Sequence, residues 1–151
     1  MHNAINTDKQ IETLAIAASG EEIRRATEWF TTALQQRDVP APQVERLELA
    51  LHEVLANVVA HGGSAALAEP VQICIEVREK ATTGEARITV IDAGIPFDPT
   101  GAPEHIPAKT LAEAPLGGLG LPMIRRYSDW MSYRREGDRN HFVFGARWSN
   151  L

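Results

Sequence analysis

A carboxylate and an amide lie four residues apart in LELALHEVLANVVAHGG, which spans residues 47–63. The apolar spacing predicts a helix, and at about 100° per residue Glu53 and Asn57 project from adjacent turns of one side. That side otherwise carries Leu and Ala, where polar groups are costly to bury unless something satisfies them. Two interpretations stay open: a partly exposed helix with Glu53 solvated, or a pocket floor. In a pocket, Glu can accept a proton and an Asn oxygen can hold a hard cation.

Two further segments carry residue types suited to ligand binding. In DAGIPFDP, residues 92–99, Asp92 is the last inward residue of a predicted strand. Its carboxylate could accept a hydrogen bond from the exocyclic amine of a base, and a simple turn is the alternative. In GGLGL, residues 117–121, glycines open a predicted helix, where free N–H groups and the helix dipole favour an anion. Each segment is a weak indication when taken alone.

Periodicity and capping patterns predict the elements that must position these residues. They are a strand over 11–19, a helix from the capping pattern of Ser19 and Glu22, a helix over 42–61 closed by Gly62 and Gly63, strands over 71–80 and 86–92, an aperiodic segment over 93–116, a helix beginning within 118–121, and a final hairpin turning at 136–139. Helices on one face of a mostly antiparallel sheet make an α/β sandwich. His61, at a helix C-terminus, is interpreted as a dipole-stabilised cap.

The core is predicted from the apolar stripes of the two long helices. These stripes comprise Ile23, Ala26, Phe30 and Leu34 on the first helix, and Val44, Leu47, Leu51, Val54, Leu55 and Val58 on the second. On the strand before DAGIPFDP, Ala86, Ile88 and Val90 share a face with Asp92. The carboxylate is therefore expected at the edge of the core.

Composition bounds the class of protein. The chain has 151 residues, which suits a single domain over 1–151. Its formal net charge is −5 without a Lys/Arg run, which argues against a direct nucleic-acid or anionic-membrane surface. Cys74 is the one cysteine, so an internal disulfide is excluded. We expect no signal peptide and no membrane span, and hence a cytoplasmic protein.

Together the three segments resemble a known set of ATP-binding boxes. E-x-x-x-N on a helix, D-x-G-x-x-F-D-P after a strand and G-G-x-G-L at a helix start resemble, in this order, the boxes of the GHKL (Bergerat-fold) ATPases. The short form with FDP and GGLGL resembles the anti-sigma factor serine/threonine kinases. The resemblance spans nearly the whole chain and implies an α+β sandwich with a long ATP lid over 95–116.

The resemblance also implies residue roles. Glu53 would be the general base, Asn57 the Mg²⁺ ligand, and Asp92 the acceptor for the adenine amine, with Gly94 letting the base lie close. Further ATP contacts would come from Phe97, Lys109, Gly117, Gly118, Leu119, Gly120 and Leu121. APLGGLG lacks the Arg that family members often carry there for the γ-phosphate. The nearest cations are Lys109, Arg125 and Arg126, and Lys109 is our choice. Where the family often has Gly-Thr reaching the adenine, this chain has Asn140-His141.

The family resemblance implies partners as well as cofactors. It implies a kinase that uses Mg-ATP, phosphorylates a STAS-domain anti-sigma factor antagonist, sequesters a sigma factor or other regulator, and forms a homodimer. Arg25, or its neighbour Arg24, would contact the antagonist. Two alternatives stay open: an ATP-binding, partner-sequestering module of the same fold without kinase turnover, and an ATPase or phosphotransfer fragment outside sigma regulation.

Overall fold

The computed structural model describes residues 11–101 and 120–150 of the chain. In chain order its elements are β1 (Ile11–Ile16), α1 (Gly20–Gln36), α2 (Ala41–His61), α3 (Gly63–Ala68), β2 (Val71–Glu79), β3 (Thr83–Asp92), a 3-10 turn (Pro99–Gly101), α4 (Gly120–Tyr127), β4 (Trp130–Glu136) and β5 (Arg139–Ser149). The strands form one antiparallel sheet in the order β1-β2-β3-β5-β4. β3 therefore lies at the centre of the sheet and pairs with β2 on one side and β5 on the other.

The core lies between the helices and one face of this sheet. In β3 every second residue from Gly84 to Asp92 is buried, and the residues between them are partly or fully exposed. This alternation is typical of a sheet with one covered face. The buried residues of α1 and α2 belong to the same apolar cluster as those of the strands. The predicted α/β sandwich with helices on one face is confirmed.

The two long helices begin where local chemistry predicts. Ser19 caps α1, and its hydroxyl accepts a hydrogen bond from the Glu22 N–H at 3.3 Å. Pro40 precedes α2, and Pro42 lies in its first turn, where the missing N–H costs no helical hydrogen bond. Every residue of the two predicted helical stripes is buried: Ile23, Ala26, Phe30, Leu34, Val44, Leu47, Leu51, Val54, Leu55 and Val58.

Two predicted strand boundaries were wrong by three residues each, and turn hydrogen bonds explain both. β1 ends at Ile16 and not at Ser19, because Ser19 N–H donates to the Ala17 carbonyl and turns the chain into α1. β3 begins at Thr83 and not at 86, because Lys80 N–H donates to the Thr83 carbonyl at 2.8 Å and closes a tighter turn.

The short helix α3 was not predicted. Gly63 adopts a φ of +72°, a conformation that glycine tolerates, and redirects the chain after α2. Ala66 then packs into the core and fixes the extra turn. Within the described residues, none of the helices combines the length and apolarity that crossing a bilayer requires.

Candidate functional site

A pocket opens between the C-terminal half of α2 and the facing ends of β3 and β5. It holds about 460 Å³ of empty space, counting its open mouth. Val54 and Val58 of α2 form one wall, Val90 and Phe142 of the sheet form the other, and Ile124 of α4 also lines the pocket. Apolar walls with a few polar groups are typical of a small-molecule site.

Asn57 is the polar group on the α2 side of the pocket. Its side chain lines the pocket, and the residue is only 9% exposed. Both amide atoms, Oδ1 and Nδ2, are buried without a hydrogen-bond partner in the described part of the chain. An unsatisfied buried group of this kind costs about 1–3 kcal/mol. Its carbonyl oxygen is the type of ligand that a hard cation prefers, so the residue fits the expected Mg²⁺.

Glu53 does not share this position. It is half-buried and is not among the described residues that line the pocket. The reason is helical geometry, because four residues advance the chain by about 6 Å and rotate the side chain by about 40°. The interpretation of the pair as one pocket floor therefore holds for Asn57, and Glu53 lies one turn nearer the helix N-terminus.

Asp92 ends β3 on the opposite side of the pocket. It is 6% exposed, and its Oδ1 accepts hydrogen bonds from Gly94 N–H at 2.8 Å and from Asn140 Nδ2 at 3.0 Å. Within residues 11–101 and 120–150, its Oδ2 has no hydrogen-bond partner. A carboxylate accepts and does not donate, so Asp92 offers the pocket one acceptor oxygen for a ligand N–H.

Gly94 brings the end of β3 against the end of α2. A Cβ atom there would lie 2.7 Å from Gly62 Cα and 2.8 Å from Asp92 Oδ1. The next residue, Ile95, donates its N–H to the Gly62 carbonyl at 3.1 Å. The glycine is thus required by close backbone packing, and its predicted role of making room for a base stays a prediction.

Sequence reasoning missed Asn140 as a site residue. Asn140 is 4% exposed and lies directly opposite Asp92 in the β3–β5 pairing. Its Nδ2 also donates to the Ile95 carbonyl at 2.9 Å, and its Oδ1 accepts from Tyr133 Oη at 2.6 Å and Arg135 Nη1 at 3.1 Å. The clue in the sequence was the departure from Gly-Thr at this position. Asn140 lies beside Asp92 only because β5 pairs with β3, and residues near Asn140 in the chain do not specify that pairing.

His61 and Phe97 form an aromatic wall near the start of the predicted lid. Their ring centroids are 4.8 Å apart with an interplanar angle of 40°, and both residues line the pocket. His61 Nε2 is buried without a hydrogen-bond partner among the described residues. His61 lies one helical turn beyond Asn57 and borders the pocket. Its predicted role as a helix cap did not include this position.

The remaining predicted site residues fall elsewhere. Lys109, Gly117, Gly118 and Leu119 lie outside the described residues, and Gly120 and Leu121 form the first turn of α4.

Arg24 and Arg25 lie in α1, are exposed, and do not line the pocket. Arg25 forms an ion pair with Glu22 at 2.8 Å, and this hydrogen bond raises the pKa of the guanidinium above its ordinary value. Among the described residues that line the pocket, Asp92 is the one carboxylate and there is no Lys or Arg.

Comparison with known proteins agrees with this geometry. The model of the histidine kinase-like ATPase domain matches residues 16–144. The chain is also similar to the serine/threonine-protein kinase BtrW of Bordetella bronchiseptica, with 33% identity over 97 residues. That alignment covers 64% of this chain and 66% of the relative.

Two solved structures share the fold. One contains the RsbU and RsbW domains of Rv1364c from Mycobacterium tuberculosis, with a TM-score of 0.66 and 15% identity over 93% of this chain and 33% of that chain. The other is the SiaB-SiaC complex from Pseudomonas aeruginosa, with a TM-score of 0.58 and 16% identity over 96% of this chain and 95% of that chain. The predicted GHKL-type fold is confirmed.

Proposed function

The chain belongs to the histidine kinase-like ATPase domain family, and from this premise we propose that it is a Mg-ATP-dependent protein serine/threonine kinase. We propose that it acts as an anti-sigma factor in a partner switch and phosphorylates a STAS-domain anti-sigma factor antagonist. The similarity to a protein named as a serine/threonine kinase supports the reaction class. The fold shared with RsbW and SiaB is compatible with partner switching.

The unsatisfied amide of Asn57 is the observation on which this proposal rests. Its two polar atoms are buried without partners in the wall of a pocket whose other side presents the Asp92 carboxylate. A ligand with phosphate oxygens and a bound cation at one end would satisfy Asn57. An exocyclic amine on a base at its other end would satisfy Asp92. ATP with Mg²⁺ has these groups.

The chain's own residues would each serve one part of phosphoryl transfer. Asn57 Oδ1 would hold the cation, which when bound neutralises charge on the phosphates. Asp92 Oδ2 would accept from the adenine amine, and Phe97 would pack beside the bound nucleotide. Glu53, one turn before Asn57, would accept the proton of the attacking Ser or Thr hydroxyl. Lys109 would supply the cation for the γ-phosphate.

Purified antagonist, Mg²⁺ and γ-labelled ATP test the kinase directly. We expect label on a Ser or Thr of the antagonist with the wild-type protein. With Glu53→Gln we expect labelling to fall by about 10²–10⁴-fold while ATP still binds, as for loss of a general base. Asn57→Ala should lose Mg-ATP binding as well as labelling. Glu48→Gln, a partly buried glutamate on the solvent stripe of α2, is the matched control and should label at the wild-type rate.

One observation favours a second candidate function. No Lys or Arg is found among the described pocket-lining residues, and Glu53 is not among them either. A chain that binds ATP and a partner but transfers no phosphate would need neither group. This candidate is an ATP-gated, partner-sequestering module, and it predicts that ATP binds and the partner is captured while the antagonist stays unlabelled.

The assembly and location that accompany this function are also proposals. We propose a homodimer in the cytoplasm that sequesters a sigma factor or a similar regulator. Sedimentation at micromolar concentration tests the dimer, and a purely monomeric species would contradict it. Recovery of neither a STAS-type protein nor a sigma factor from a lysate would favour an ATPase outside sigma regulation.

A further inference from the structure

We infer that Asn140 is a positioning residue that fixes the Asp92 carboxylate. In this way it makes the pocket select a purine with an exocyclic amine over one with a carbonyl at the same ring position. The inference rests on the proposed binding of ATP. It concerns a residue that the family pattern does not supply, because this chain has Asn where Gly-Thr is often found.

The orientation of the Asn140 amide is set by its surroundings. Its Nδ2 faces acceptor oxygens on Asp92 (3.0 Å), Ile95 (2.9 Å) and Gly94 (3.4 Å). Its Oδ1 faces donors on Tyr133 and Arg135. The flipped amide would set a carbonyl oxygen against three oxygens and an NH₂ group against the Arg135 cation, so only one orientation satisfies the network.

This network determines which oxygen of Asp92 can accept a hydrogen bond from a ligand. Two donors, Gly94 N–H and Asn140 Nδ2, converge on Oδ1 and hold the plane of the carboxylate. Asp92 lines the pocket, and Oδ2 is the carboxylate oxygen left without a donor among the described residues. An exocyclic amine would donate to Oδ2, whereas a carbonyl at that ring position would place oxygen against oxygen without a proton between them.

The same amide also joins the carboxylate to the chain that follows β3. Asn140 donates to the Ile95 carbonyl, and Arg135 Nη1 donates to the Gly94 carbonyl at 2.7 Å. Asn140 therefore holds both Ile95, the first residue of the predicted lid, and the acceptor for the base. Loss of Asn140 releases both, although Asn140 itself lies on a different strand from Asp92.

The test compares ATP with inosine triphosphate, in which a carbonyl replaces the exocyclic amine of the base. We would measure both dissociation constants by calorimetry with Mg²⁺ present, for wild type, Asn140→Ala, Tyr133→Phe and the control His141→Ala. His141 is the next residue of β5, and its side chain projects from the opposite face of the strand. Each variant is first checked for cooperative unfolding.

We expect the wild-type protein to prefer ATP by about 10–100-fold, the range for a hydrogen bond to a charged group. Asn140→Ala should reduce this ratio by about tenfold or more, Tyr133→Phe by a smaller factor, and His141→Ala not at all. A purely structural role would weaken both nucleotides equally and leave the ratio unchanged, which would overturn the inference. Should Asn140→Ala fail to fold, an unchanged ratio in Tyr133→Phe overturns it equally.

The wild-type result separates this inference from the proposed function. Binding of ATP and inosine triphosphate with equal affinity would overturn the selectivity while leaving ATP binding intact. Binding of neither nucleotide would refute the proposed ATP function, and the inference with it.

Discussion

Replacing Asn57 by Leu should stabilise the nucleotide-free protein while removing Mg-ATP binding. The pocket offers a matched comparison, because Asn57 and Asn140 are two buried asparagines with opposite hydrogen-bonding states. Asn57 is 9% exposed with neither amide atom partnered in the described residues, and Asn140 is 4% exposed with both amide atoms partnered. The same substitution at the two positions should therefore change stability in opposite directions.

The magnitudes follow from the state of each amide. Leu at position 57 removes an unsatisfied group that costs about 1–3 kcal/mol, and Leu has nearly the same volume and meets the apolar Val54 and Val58. For a chain of this size about 1 kcal/mol shifts Tm by roughly 2–4 °C, so Tm should rise by about 2–12 °C. Leu at position 140 leaves Asp92 and the Tyr133 hydroxyl short of partners, and we expect a loss of about 2–4 kcal/mol.

Thermal unfolding without nucleotide measures the change in stability, and calorimetric titration with Mg-ATP measures the loss of binding. Asn57→Leu should unfold at a higher temperature than wild type and bind no Mg-ATP, and Asn140→Leu should unfold at a lower temperature. The reasoning is refuted if Asn57→Leu is less stable than wild type, because the amide would then have been satisfied in the free protein. Wild-type affinity for Mg-ATP in Asn57→Leu would refute its role as a ligand.

Three further predictions test the frame around the pocket. Gly94→Ala should lower stability by about 1–3 kcal/mol in urea unfolding, because its Cβ would meet Gly62 Cα at 2.7 Å, and a wild-type midpoint would contradict this. At Asp129 desolvation opposes the shift, but hydrogen bonds from a β5 N–H and from Arg46 lower the pKa below 3.8. Because that pKa is depressed on folding, the stabilisation is full above the unfolded value and is lost as pH falls through the folded one. The difference in Tm between wild type and Asp129→Asn should therefore shrink as the pH falls below the ordinary carboxylate pKa, and a difference that stays constant with pH would contradict this. Arg24→Glu should weaken capture of a STAS-domain antagonist at low salt and leave ATP binding unchanged, and equal capture would exclude Arg24 as a contact.

The parts of the fold governed by local periodicity could be predicted from the sequence. The buried stripe of α2 follows from a helical repeat, and the position of Asp92 follows from alternation along β3. The side of α2 that carries Asn57 was predictable for the same reason, since its spacing sets Asn57 apart from the main apolar stripe. The capping of α1 by Ser19 needed only the next three residues.

The parts that depend on pairing between distant segments could not be predicted in this way. Asn140 reaches Asp92 because β5 returns beside β3, and nothing near Asn140 in the chain specifies that register. Helical geometry places Glu53 one turn from Asn57, but which of the two turns lines the pocket is a tertiary effect. It depends on where α2 packs against the sheet. The short helix α3 lacked enough residues for a repeat, and its position depends on the turn at Gly63.

The two sides of the pocket differ in how far the protein satisfies its own polar groups. On the β3 side, Gly94 and Asn140 already donate to Oδ1 of Asp92, so the base of the proposed nucleotide would meet an acceptor that is already oriented. On the α2 side, the described residues leave Asn57 unsatisfied, and a ligand that reaches it relieves a cost present in the free protein. Ligand binding and stability are therefore coupled most strongly through Asn57. For the proposed Mg-ATP this is the phosphate end, which would meet α2, the helix that also carries Glu53.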